Sequence, residues 1–498
     1  MAPITSMEVE EAPPPPVRRS LVPSMVEAFR RASRAAFLVG AEPLGGTSFG
    51  DGEETSTPCR DDNINAGITR QEAWSNLVLA LIGWVVCLLP NIMAECGWLL
   101  CPPLLLLSAL VIIRMGTLIC HACTLVEESN ARPAGSLKNY EDLAKEIGMF
   151  KVVLVTKNTA MMALVLIAQQ FMTGALEGLM PINVSMSILR WCVVMPMFCV
   201  MVLLKDLSQL RKFAWLGLLG LAVQLVGLLI GCLLGSIEAK PKTPRSYTMI
   251  PSDVYDKTGV TLAAFIFAFA ILATVPSIRS QMRRPAEMPL ALRDAILFTV
   301  VLYEVIMIWG YCVFGEAVNE NLTLEISKSF PFFGTLPSLG LFVNVSITTP
   351  LYFFCLCSVI ESTGSDACRT QGTPINGMAR LFFVLLLTTV GWSLPQILPI
   401  IGVFSSVFCV CNNLWFPIFF YHKLCKQVQQ PVPTLGLIVN LAIAILGILV
   451  FVWGLDGSLK KLAKEMEWHQ NVTVTTATTT SATTSVNLLV NASRDVSK

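Results

Sequence analysis

Asn76–Trp98 reads NLVLALIGWVVCLLPNIMAECGW. A bilayer core takes about 20 apolar residues in a helix, and this stretch is long enough. It also carries Gly83, Pro90 and Asn91, which a plain membrane anchor does not need. Pro90 lacks a backbone donor and crowds the turn before it, and Gly83 has no side chain to stiffen the helix or block a ligand. In hydrocarbon every freed backbone group must be satisfied. In transporters, substrate or ion does this at discontinuous helices near the midplane. Kinked structural helices with Gly and Pro are also common in membranes, so the stretch alone leaves both readings open.

Outward from it, the chain keeps the same character. It has 498 residues, 54% hydrophobic and 14% charged, with a mean hydropathy of +0.65. Such an excess calls for several membrane spans. A net charge of +1 names no partner, and no basic patch with interleaved aromatics marks a nucleic-acid surface. Most of the 16 cysteines lie inside apolar runs and read as small buried hydrophobes rather than a disulfide framework. Eleven candidate spans follow: 76–98, 99–124, 151–180, 186–204, 213–236, 258–280, 291–314, 333–361, 379–395, 397–421 and 433–454. Ten is the alternative if the ninth and tenth merge.

Three regions result: a cytosolic N-terminal tail over 1–70, a transmembrane domain over 71–455 and an extracytoplasmic Thr/Ser-rich tail over 456–498. The first tail is polar and Pro-rich with no secretory h-region; its basic stretch 17–40 is weakly amphipathic. About fourteen Lys and Arg fall in one set of alternate loops and about six in the other, which places the N-terminus in the cytosol. Sequons at Asn183, Asn321, Asn471 and Asn491 fall on the opposite side and predict a glycoprotein. Amphipathic pieces occupy inner loops, among them Ser136–Met149 with Ser or Asn as its cap.

In this order the pieces resemble the amino acid/auxin permease family of secondary transporters. The residues that carry the likeness are Gly83, Pro90 and Gly97-Trp98; Tyr140-Glu-Asp-Leu; Leu204-Lys-Asp-Leu-Ser; Phe267-Ala-Phe-Ala, then Pro276 and Pro285; Gly310-Tyr-Cys-Val-Phe-Gly; and Gly402-Val-Phe-Ser with Pro417-Ile-Phe-Phe-Tyr. The likeness covers about residues 70–455. It implies an all-α integral membrane protein of about eleven transmembrane helices, a leucine-transporter-type 5+5 inverted repeat plus one peripheral helix. Spans 1 and 6 would break near the midplane and present half-helix N-termini to a substrate carboxylate. The substrate-binding residues are then Gly83, Trp84, Val85 and Val86 with Phe267, Ala268, Phe269, Ala270 and Ile271. Val85 and Ile271 stand where the family has glycine, and Leu79 where sodium-coupled members often have Asn.

Glu304 lies deep in span 7, where a carboxylate is costly and points to function. It is a candidate proton-coupling residue or half of a structural pair, with Arg114 the natural partner. Asn76 and the span 8 hydroxyls Ser346, Thr348 and Thr349 are the further coupling candidates, since hard cations take oxygen ligands; hydroxyls bonding back to their own helix are the plain alternative. Lys157 reads as a snorkelling side chain, Asn412 and Asn413 as a bridge between helices. Cys120-His-Ala-Cys123 has no second pair to complete a metal or redox site. The metalloprotease motif H-E-x-x-H is absent, and no acid/base cluster marks a catalytic centre.

The expected function is secondary active transport of amino acids or related small zwitterions by alternating access, a symport coupled to H+ rather than Na+, with no cofactor. A non-transporting amino acid sensor on the same fold is the alternative. The expected membrane is the plasma membrane or a vacuolar or endolysosomal one.

Overall fold

Thr69 begins the first helix. Its hydroxyl accepts from the Glu72 N–H while the Glu72 carboxylate accepts from the Thr69 N–H, a capping box that satisfies two orphan donors at once. This helix, α1 (Arg70–Leu81), stops in mid-membrane: Ile82 is extended and Gly83 sits at φ −131°, ψ −135°. A 3-10 turn, Trp84–Cys87, leads into α2 (Leu89–Cys96). The break is therefore at Ile82–Gly83 and not at Pro90. Pro90 lies in the first turn of α2, where its missing N–H would be unbonded anyway.

The computed structural model describes residues 67–180, 184–203, 207–237, 246–363, 374–393 and 397–464. The basic stretch 17–40, Asn183, Asn471, Asn491 and nearly all of both predicted tails lie outside them. Within them the chain is helical, apart from one parallel bridge between Ile68 and Met282. Eight helices are long and apolar enough to cross a membrane: Cys101–Ser129, Phe150–Leu179, Leu216–Ile237, Val254–Gln281, Pro285–Ala317, Pro331–Thr349, Ile397–Gln427 and Thr434–Lys464. Met186–Cys199 and Arg380–Ser393 are shorter apolar helices, and the broken 70–96 segment stands beside them.

In chain order after α2 come α3 (Cys101–Ser129), α4 (Tyr140–Glu146), α5 (Phe150–Leu179), α6 (186–203) and α7 (Leu207–Ile237). The next span is α8 (Val254–Ala268), a break at Phe269–Ile271, a 3-10 turn and α9 (Val275–Gln281). It is built like the first: Pro276 opens its second half as Pro90 opens α2. Then follow α10 (Met288–Phe314), α11 (Leu322–Ser329), α12 (Pro331–Thr363), α13 (Pro374–Ser393), α14 (397–427) and α15 (434–464). The last helix runs past residue 455, where the sequence suggested a tail; Lys461 there pairs with Glu95 at 2.9 Å.

Hydrocarbon gives helices no hydrophobic push toward each other, so close backbone approach decides the packing. Along α7 and α12, a Cβ on Gly220 would lie 2.9 Å from the Asn344 nitrogen, and one on Gly340 would lie 2.4 Å from the Gln224 nitrogen. At the turn between α2 and α3, Gly97 has φ +84°, and a side chain there would meet the Met249 carbonyl at 2.7 Å.

Polar ties hold the helix ends. Asn139, not Ser136, caps α4 through a capping box with Asp142. Tyr140 is fully buried and donates to the Asn412 carbonyl at 2.9 Å, and Thr156 reaches the Asn412 side chain, so Asn412 does bridge helices. Lys157 pairs with Glu141 rather than snorkelling to solvent. Asn321 is not an open glycan acceptor: it is 4% exposed, and its carboxamide oxygen takes the Thr323 N–H and hydroxyl at the start of α11.

Two buried arginines complete the frame. Arg279 on α9 makes both ends of a bidentate pair with Glu127 on α3, at 2.8 and 2.7 Å. Arg190 on α6, inside the fourth candidate span, is 5% exposed and donates to the Gly391 carbonyl of α13 at 2.6 Å and to Gln170 of α5.

Candidate functional site

The two breaks face each other. The Trp84 ring, just past the first, lies 5.6 Å from the Phe267 ring, just before the second, and 5.0 Å from Phe171 of α5. Trp84, Val85, Val86, Phe267, Ala268, Phe269 and Ile271 are all buried. Gly83 and Ala270 are not: each is the uncovered residue of an otherwise buried stretch. A Cβ added to Gly83 would meet nothing within 4 Å. Space therefore opens at this glycine, in the middle of a span, and its N–H has no hydrogen-bond partner among the described residues. A free N–H at the start of a helical turn carries partial positive charge and suits an anionic group.

Tyr303 closes the other side. Its hydroxyl donates to the Leu81 carbonyl, the last of α1, at 2.6 Å, and its ring lies 5.7 Å from Phe269. One fully buried side chain thus touches both breaks. Gln224 of α7 adds a third wall: its amide nitrogen approaches the Gly83 carbonyl at 3.5 Å and the Cys87 sulfur at 3.0 Å, and its carbonyl oxygen is unpartnered. Neither residue was singled out from sequence. The signal for Tyr303 was its place beside Glu304, and the signal for Gln224 was a lone amide in an apolar run.

Glu304 itself points elsewhere. Successive helical residues lie about 100° apart, so the face that carries Tyr303 to the breaks carries Glu304 away from them. Met307, about 40° from Tyr303 and about 60° from Glu304 around the helix, contacts Cys101 at the start of α3. One Glu304 carboxylate oxygen is buried without a partner. Arg114 does not supply one: it donates to Asn440 of α15 at 3.4 Å. The expected Glu304–Arg114 pair is not formed, because α3 turns Arg114 toward α15 and not toward α10.

The remaining coupling candidates divide. Asn76 on α1 is 2% exposed, and both its amide nitrogen and its carbonyl oxygen lack partners. A buried carboxamide with neither bond made is rare enough to mark a place for a ligand, ion or water. Ser346, Thr348 and Thr349 instead donate back to the carbonyls of Phe342, Asn344 and Val345. Cys120 and Cys123 are buried free thiols, and among the described residues no group of three or more His, Cys, Asp or Glu could hold a metal.

The chain is similar to several known proteins. Amino acid transporter AVT1D of Arabidopsis thaliana is 25% identical over 411 residues, which cover 78% of this chain and 68% of that protein. Vacuolar amino acid transporter 4 of Saccharomyces cerevisiae is 28% identical over 107 residues, 22% of this chain and 15% of that one. Among solved structures, the inward-facing conformation of Mhp1 aligns with a TM-score of 0.42 at 14% identity, covering 84% of this chain and 96% of its own. A family model described as transmembrane amino acid transporter protein matches residues 66–460. With its multiple apolar spans and a match over well more than half its length, the chain is a multi-pass membrane protein that belongs to the transmembrane amino acid transporter protein family, a family of transporters and not of enzymes.

Proposed function

We propose that this protein is a secondary active transporter that carries an amino acid or a related small zwitterion by alternating access, coupled to protons. The observation that carries the proposal is the meeting of two broken spans at Trp84 and Phe267, with open space at Gly83. The substrate carboxylate lies against the free Gly83 N–H and the turn Trp84–Cys87, and the side chain lies toward Trp84, Val86 and Phe267. Ala270 and Ile271 bound it from the second break. The described spans and the broken 70–96 segment make eleven crossings, arranged as two inverted five-span repeats with α15 peripheral. The like construction of the two broken spans, each with Pro opening its second half, supports this.

Glu304 is the proton-coupling residue, in keeping with its unpartnered buried oxygen, and Asn76 is a second polar group for coupling or water. Sodium fits less well, since the span 8 hydroxyls already serve their own helix. The membrane is vacuolar, by analogy with vacuolar amino acid transporter 4 of Saccharomyces cerevisiae, with the N-terminal tail over 1–70 in the cytosol and the C-terminal tail outside it.

Uptake of labelled amino acids into proteoliposomes, under imposed proton and sodium gradients, tests the reading. Gly83→Leu should abolish uptake while leaving a folded protein, because its side chain enters the open space. Glu304→Gln should still exchange substrate but no longer accumulate it against a proton gradient. Binding without movement in the parent protein overturns transport. Unchanged uptake by Gly83→Leu overturns the site, and full proton-driven accumulation by Glu304→Gln removes Glu304 from coupling.

A further inference from the structure

Between α14 and α15 runs an apolar groove of about 380 Å³, lined by Met149 ahead of α5, by Trp415, Phe416, Ile418, Phe419 and His422 of α14, and by Ala444 of α15. Trp415, Phe419, His422 and Lys426 recur at spacings of four, three and four, so they form one face of one helix. Along that face the chemistry changes in order. Trp415 and Phe419 are apolar, and Phe419 is 46% exposed.

His422 comes next, and its protonation pattern is fixed from behind. Arg114 donates to the Asn440 carbonyl oxygen, which turns the Asn440 amide nitrogen toward His422 Nε2 at 3.2 Å. That nitrogen must accept, so the neutral ring carries its proton on Nδ1. The indole N–H of Trp415 is used on the Ala444 carbonyl, which leaves the His422 Nδ1–H as the one donor unengaged among the lining side chains. One turn beyond, about 6 Å along the axis, stands exposed Lys426, and in the first turn of α5, two residues past the lining residue Met149, exposed Lys151. Neither lysine has a carboxylate partner among the described residues. The nearby acids are taken: Asp142 by Lys145, Glu146 by Arg132 and Glu141 by Lys157.

Apolar wall, one hydrogen-bond donor, then cation is the order of a phospholipid with an anionic headgroup: acyl chain, glycerol ester, phosphate. We infer that this groove between α14 and α15 is a binding site for one anionic phospholipid, its chain on Trp415, Phe419 and Ala444, its ester carbonyl on His422 and its headgroup between Lys151 and Lys426. Basic residues at the membrane surface end of a groove between spans favour such headgroups.

The test uses the full chain in mild detergent, stripped of lipid and then offered phosphatidylglycerol and phosphatidylcholine of the same acyl chains in equal amounts. Retained lipid is read by native mass spectrometry. Phosphatidylglycerol should be retained several-fold over phosphatidylcholine. Ala444→Trp, which fills the groove, should remove the retained lipid. Lys151→Glu with Lys426→Glu, both at exposed positions, should bring phosphatidylglycerol down to the phosphatidylcholine level and so decide the matter even if the tryptophan variant misfolds. Equal retention of the two lipids by the parent protein overturns the inference. So does undiminished retention by folded Ala444→Trp or by the double lysine variant, and so does displacement of the lipid by millimolar inorganic phosphate, which would mean that the headgroup binds without the groove.

Discussion

Among the described residues two arginines are buried, and they are compensated by different means. Arg279 has a formal counter-charge. Glu127 takes two of its N–H groups, Thr124 takes a third, and the spare capacity of the carboxylate receives the Gly135 N–H. Arg190 meets only neutral acceptors, the Gly391 carbonyl and the Gln170 amide, and its Nε is idle. Gly391 lies two residues from the end of α13 at Ser393, where unbonded carbonyls gather partial negative charge. A buried cation can therefore be held by an ion or by a helix end. The first arrangement is specific to one partner, while the second is spread over several weak ones.

That contrast sets the order of mutational cost. Glu127→Ala leaves Arg279 charged, buried and unpaired, and breaking such a pair costs about 3–5 kcal/mol. Thermal unfolding in detergent should show it as the largest loss of the set. Replacing both partners by apolar residues, Glu127→Leu with Arg279→Met, should restore most of the loss, since apolar replacement of a buried pair is often neutral. If the double variant is as unstable as the single one, the pair contributes more than mutual neutralisation. Arg190→Met removes the charge together with its need for compensation, and leaves Gln170 and the Gly391 carbonyl to find water. It should cost about 1–3 kcal/mol, clearly less than Glu127→Ala. An equal loss would mean that the helix end binds the cation as tightly as a carboxylate does.

Much of this frame was legible in the sequence. Long apolar runs gave the spans, since the bilayer fixes their length, and short ordered motifs gave the family. Gly83 was one of the residues that marked the first span as interrupted, and the structure places the break there. The rest depends on contacts that no local pattern encodes. The partners in the Glu127–Arg279 pair stand 152 residues apart, and Arg190 and the Gly391 carbonyl stand 201 apart. Pro90 marked the same stretch as interrupted, yet a proline inside a helix and a proline opening a new one read alike until the chain before it is placed. Glu304 drew attention because charge in hydrocarbon is costly, while Tyr303, its neighbour, makes the contact between the two breaks. Tyr303→Phe deletes the hydroxyl that holds the Leu81 carbonyl and should lower stability by about 1 kcal/mol. Because that carbonyl ends α1 at the break, the same variant should alter substrate affinity in uptake assays more than Thr299→Val, which deletes a buried hydroxyl of α10 that serves only its own helix. Equal effects of the two would make Tyr303 a packing residue alone.

The mirror image of Arg190 supplies the smallest effect. At the start of the next helix, Glu320 accepts the N–H groups of Ile397 and Leu398 at 2.7 and 3.4 Å, the first donors of α14. A cation at one helix end and an anion at the next thus bracket one connection, each matching the local dipole. The two are not equally content. Burial raises the Glu320 carboxyl above its ordinary value of 4.5, against the opposing pull of the two N–H groups and Lys461. The native state therefore holds this proton more tightly than the unfolded chain does. Its contribution to stability is present in full below the ordinary carboxylate range, and is lost as pH rises through the raised value. Glu320→Gln keeps an acceptor for the helix end and removes the charge. It should leave stability unchanged or raise it by less than about 1 kcal/mol near neutral pH, and lower it relative to the parent protein at the acid end. Melting curves of the pair across pH check this, and they compare two opposing terms at one carboxylate. If the glutamine variant is instead the weaker at neutral pH and the gap closes on acidification, dipole and Lys461 outweigh burial, and Glu320 is held as an anion as firmly as Arg190 is held as a cation.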